Sequence, residues 1–132
     1  MAQAIVVVAV LAGTGFPGFA AETARNVQPI EFNGGTASLS GQWKYHVGDN
    51  TAWASPDFDD SSWEGVAEDK PWGAQRRFDE YGISWYRVRI VLGASAPREL
   101  AVLFPPVENA YEVYWNGRLV GSCGKLPPWP RW

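Results

Sequence analysis

Cysteine, histidine and methionine occur once each in the 132 residues. A lone cysteine forms no internal disulfide, so Cys123 reads as an ordinary thiol and not as part of a framework. A lone histidine, His46, with no Cys or second His beside it, excludes a zinc site of usual spacing and a Cys-His nucleophile. Bases are also scarce, with 11 Lys and Arg against 14 Asp and Glu for a net charge of −3. That balance has the wrong sign for gripping nucleic-acid phosphates or an anionic membrane. No segment combines a 3.6-residue apolar period with both helix caps. There is no internal repeat, no low-complexity tract, no GxSxG and no phosphate-cradling Gly-rich loop. The apolar run from Ala4 to Leu11 falls short of the roughly 20 residues that a membrane-spanning helix needs.

Aromatic residues make up 14% of the chain, eight of them Trp, while charged residues are only 19%. Such a composition buries a core and excludes intrinsic disorder. The 14 Gly and 10 Pro disfavour a helical bundle and suit short strands joined by turns. The length fits one domain.

The N-terminal segment reads as a leader. Ala4–Leu11 is followed by Gly13, Gly15, Pro17 and Gly18, and Gly18 and Ala20 are the small residues that a signal peptidase accepts, although no base precedes the run. Cleavage is expected after Ala20, leaving 132 − 20 = 112 residues exported. Residues 21–37 form a polar lead-in, and the domain proper is expected over 38–132.

Charge is segregated along the chain. Residues 1–69 carry nine acids and two bases, and residues 70–132 five acids and nine bases. The acids crowd between Asp49 and Asp69 with no base among them, which predicts an acidic loop together with internal charge pairing.

Strand signals recur. Trp43, Tyr45 and Val47 alternate with Lys44 and His46. Over Ile83–Leu92, Tyr86, Val88, Ile90 and Leu92 face one way and Trp85, Arg87 and Arg89 the other. A brief strand is expected near Val66, and a continuously apolar one at Leu100–Phe104. Tyr111, Val113 and Trp115 alternate with Glu112 and Tyr114. Asn116-Gly117 is then a type I′ hairpin signal, and Arg118–Val120 returns as the partner strand. The expected class is all-β, an antiparallel β-sandwich. Only five or six strands are legible where about eight are usual, and the Pro-rich end cannot pair well, so the last strands are expected beyond Trp132.

Four segments in order carry a resemblance: Gly41-Gln42-Trp43-Lys44-Tyr45, Phe58-Asp59-Asp60-Ser61-Ser62-Trp63, Trp85-Tyr86-Arg87, and Tyr111 through Gly121. Together they are similar to the galactose-binding-like jelly roll that opens the family two glycoside hydrolases. A very similar module forms the extracytoplasmic sensor domain of bacterial membrane-bound serine phosphatases and histidine kinases. Those hydrolases usually continue after the Asn-Gly hairpin with a His and a Gly-Gly-Tyr run, whereas this chain reads Ser122-Cys123-Gly124-Lys125-Leu126-Pro127-Pro128. Together with Leu103-Phe104-Pro105-Pro106-Val107, that departure favours the sensor version. The resemblance implies a non-catalytic ligand-binding or sensing module for a carbohydrate-like ligand, on the outer face of the membrane. Its partners would be that ligand and the rest of its own polypeptide, with membrane contact only through the part of the parent outside this chain. The alternative is the sugar-binding domain of a family two glycoside hydrolase or a related esterase, whose catalytic acids lie in a later domain.

Glu108 and Glu112 are spaced to share a strand face, but nothing near them raises a carboxyl pKa, so no catalytic residue is expected. The ligand loop is expected at Trp72, Gln75, Arg76, Arg77, Asp79, Glu80 and Tyr81, where aromatic faces for sugar stacking adjoin groups that read hydroxyls. No cofactor is implied. Asp57, Asp59, Ser61 and Glu68 place oxygens at positions 1, 3, 5 and 12 of a calcium loop, but Ser62 and Trp63 stand where the loop needs its Gly and a slim residue, and no helices flank it. The competing reading makes this stretch an Asx-type turn anchored by Trp63. Trp43, Trp63 and Trp115 are assigned to packing, with Asn116 and Gly117 as the turn.

Overall fold

The computed structural model describes residues 4–13, 27–30, 35–39, 41–67, 82–93, 96–103 and 110–126. In these the chain forms seven strands: β1 (Ala4–Gly13), β2 (Val27–Ile30), β3 (Gln42–Val47), β4 (Glu64–Ala67), β5 (Gly82–Leu92), β6 (Tyr111–Trp115) and β7 (Arg118–Cys123). The helical content described is one 3-10 turn, Thr51–Ala54, capped by the Asn50 side chain accepting from the Ala52 N–H. The protein is all-β.

The seven strands join in one sheet of order β4-β3-β5-β1-β6-β7, with β2 also on β5. Pairing is antiparallel for β3–β4, β3–β5 and β6–β7, the last as the Asn116-Gly117 signal anticipates. It is parallel where β1 meets β5 and β6 and where β2 meets β5. The sheet is therefore mixed, and two strands lie in segments expected to stand outside the fold. In the intact chain, the apolar run read as a leader separates β5 from β6.

The alternation along β5 divides the sheet into two faces. Trp43, Tyr45, Val66, Val88 and Ile90 form a buried cluster on one face, with Leu92, Tyr111 and Trp115 packed against it. On the other face Trp85, Ile83, Trp63 and Ala54 form a second cluster. The β6–β7 hairpin closes through Asn116 (φ 47) and Gly117 (φ 83). Both residues are left-handed, as a type I′ turn requires.

The strand expected at Leu100–Phe104 is not formed over Leu100–Leu103, and Leu103 is 96% exposed. One edge of β5 is occupied by β3 over Ser84–Arg87 and by β2 over Arg89–Leu92, and the other by β1 over Gly82–Val91. No stretch of β5 edge is left for the apolar segment, and Pro97, Pro105 and Pro106 on its flanks lack the N–H groups that a ladder needs.

Candidate functional site

The Arg-bearing face of β5 is covered by the segment from Thr51 to Trp63. Asn50, Ser55 and Asp59 shape that segment by accepting backbone N–H bonds from Ala52, Asp57 and Ser61 at 3.0, 3.3 and 3.0 Å. Each is a short polar side chain bonding two residues on, the usual way such residues stabilise turns. Asp60 points inward and is 2% exposed.

Arg87 receives it. The guanidinium is fully buried and donates from Nε to Asp60 Oδ2 at 2.8 Å. Its other nitrogens donate to the carbonyls of Trp53, Ser55 and Phe58. Arg89 donates to the carbonyls of Pro56 and Phe58 at 3.0 and 2.8 Å and lies 3.8 Å from Asp60. Burial pushes the Arg87 guanidinium below its ordinary value, and the hydrogen bond and charge of Asp60 push it back up. The loop thus presents a carboxylate and a row of carbonyls to two sheet cations, satisfying groups that would be costly to bury alone.

Aromatic rings fill the rest of this interface. Trp53 meets Trp63, Trp85 and Phe58 at centroid distances of 5.1, 5.9 and 6.3 Å, and Trp85 stacks on Tyr114 at 5.5 Å. The exposed His46 ring contacts Trp53 and Trp63 at 4.9 and 5.1 Å. Trp85 is 1% exposed and belongs to this packing. No free surface remains on this face for a ligand to stack against Trp85.

The opposite face holds an open groove of about 760 Å³ at its β6–β7 end. Tyr111, Val113 and Trp115 project from β6 on the face shared with Leu92, and Val120 and Ser122 extend the wall along β7. The apolar segment that fails to form a strand supplies the other wall through Leu100, Ala101 and Val102, with Arg98 beside it. Trp115 therefore has two roles, packing against the core cluster and lining the groove. Sequence reasoning missed Tyr111, Trp115 and Arg98 as site residues. The available signal was the even spacing of two aromatics next to an unpaired apolar stretch.

The expected ligand loop, Trp72 to Tyr81, lies outside the described residues, as does Glu68 of the calcium set. Asp57 and Asp59 are exposed, and Asp59 is engaged in its turn with Ser61. Among the described residues no three His, Cys, Asp or Glu side chains gather as a metal cluster. Glu112 accepts from the Tyr114 hydroxyl at 2.7 Å on the face away from the groove. Compared with known proteins, the chain matches no protein-family model, no curated protein and no solved structure.

Proposed function

We propose that this chain is a non-catalytic, exported ligand-binding module of the galactose-binding-like jelly-roll type, serving as the extracytoplasmic sensor of a larger bacterial signalling protein. The observation that carries the reading is the groove, in which Tyr111 and Trp115 stand beside Asn116, Ser122 and Arg98. Saccharides are held by apolar ring faces against aromatic side chains, while a few polar groups fix the hydroxyls. The groove's 760 Å³ falls within the range of small-molecule sites, roughly 300–1,000 Å³. Signalling would follow from differential binding: a ligand that prefers one arrangement of the module and its parent shifts the population toward it.

A glycan array on the full chain and on the Ala21–Trp132 form left by cleavage, followed by titration of any hit, tests this. Ser122→Trp places a bulky side chain in the groove from an exposed strand position and is expected to abolish binding without unfolding the sheet. Trp72→Ala and Arg76→Ala probe the loop expected from sequence. Loss of binding in those two with Ser122→Trp unaffected would move the site to the loop. Absence of any saccharide binding would end the carbohydrate reading.

A further inference from the structure

If the groove is a saccharide site, the charge of its lining narrows the ligand class. Among the described lining residues Arg98 is the one charged side chain, and none of them is Asp or Glu. It is exposed and takes no part in the buried pairs, which join Arg87 and Arg89 to Asp60. Its neighbour Glu99 is exposed and lies outside the lining. Three acids of the first half of the chain are carried elsewhere: Asp60 is buried beneath β5, and Asp57 and Asp59 sit on the loop that covers the opposite face. Among the described residues the fold thereby separates an acidic loop from a groove whose one fixed charge is positive. A solvated guanidinium at the rim of an aromatic-lined groove can fork onto a carboxylate with little desolvation cost.

We infer that the groove takes an acidic sugar, a uronic acid residue. Its ring lies against Trp115 and Tyr111, its carboxylate pairs with Arg98, and its hydroxyls meet Asn116 and Ser122. Neutral sugars of the same ring shape share the stacking and lack the charge.

The test titrates the full chain with digalacturonate and trigalacturonate and with the matching neutral galactose oligomers, following intrinsic Trp fluorescence and checking by calorimetry. The acidic oligomers are expected to bind about tenfold tighter, the effect of one charge-assisted contact, and the preference should shrink as salt rises. Arg98→Gln should erase that preference while changing neutral binding by less than about twofold, and Arg98→Lys should keep part of it. Circular dichroism confirms that these exposed variants fold. Equal affinity for acidic and neutral oligomers, or an equal loss of both in Arg98→Gln, overturns the acidic assignment and leaves the saccharide reading standing. Binding of neither class overturns both.

Discussion

Replacing Asp60 with Ala removes the carboxylate that, among the described residues, faces two cations beneath the Thr51–Trp63 loop. Arg87 would keep the Trp53, Ser55 and Phe58 carbonyls but lose its 2.8 Å partner, and Arg89 would lose the charge 3.8 Å away. Burial already works against the Arg87 charge, and Asp60 is what opposes that effect. Stripping one partner from a buried pair costs about 3–5 kcal/mol. Asp60→Asn keeps an acceptor oxygen and loses only the charge, so about 1.5–3 kcal/mol is expected, the size of a hydrogen bond to a charged group. Arg87→Met takes a donor from the Trp53 carbonyl and the Asp60 carboxylate, while the Ser55 and Phe58 carbonyls keep the Phe58 N–H and Arg89, and it should match Asp60→Ala. The double variant should cost less than the two single losses added together, because the second change removes a group already orphaned. Urea unfolding followed by Trp fluorescence reads this directly, since Trp53 and Trp63 lie at the loop interface. With a slope of about 1–3 kcal/mol per molar urea, the Asp60→Ala midpoint should fall by about 1 M or more at unchanged slope. If Asp60→Ala does not fold, Asp60→Asn carries the measurement. A loss below about 1 kcal/mol in Asp60→Ala, or strict additivity in the double variant, would mean that the carboxylate is hydrated and the loop does not lie on β5.

Gly48 has φ +123, and a Cβ there would stand 3.1 Å from Trp53 Cη2. Gly48→Ala should therefore lower stability by about 1–3 kcal/mol, and an unchanged urea midpoint would refute the contact. Gly117→Ala at φ +83 should cost about 1–2 kcal/mol by the same assay, from the left-handed backbone alone. Cys123 is exposed on β7, so it should react with a thiol reagent in the native protein as fast as a free thiol does, and modification only after denaturation would contradict that placement. In an exporting host the secreted chain should begin at Ala21, shown by N-terminal sequencing, and a retained Met1 or Ala2 would end the leader reading.

Periodicity made the strands legible where one face is buried. Ile83–Leu92 alternates so regularly that its division into Val88 and Ile90 against Trp85 and Arg87 matches the two clusters of the sheet. The I′ hairpin was legible because Asn and Gly tolerate positive φ. The buried arginines were only half legible. An excess of acid before Asp69 and of base after it implied internal pairing, but nothing in a period-two pattern tells a solvated Arg from one covered by a distant loop. The misreading at Leu100–Leu103 has a different cause. Apolar continuity reports a wish to be covered, while strand formation also needs a free edge, and edges are settled by the rest of the sheet. The groove was illegible for the same reason, since one of its walls is that unpaired segment.

The parallel placement of β1 also has a consequence in time. Its first partner, β5, begins at Gly82, which is 82 − 13 = 69 residues after β1 ends, and its second begins at Tyr111, 111 − 13 = 98 residues after. Synthesis proceeds at roughly 5–20 residues per second, so for roughly 3–14 s the ten apolar residues exist without either neighbour. During that interval the run has no partner in the sheet, and afterwards β5 and β6 both pair with it. If the run also serves as a leader, export and closure of the sheet compete for it, and the rate of elongation sets the outcome. On that reading, slowing translation between Gly13 and Gly82 would favour export.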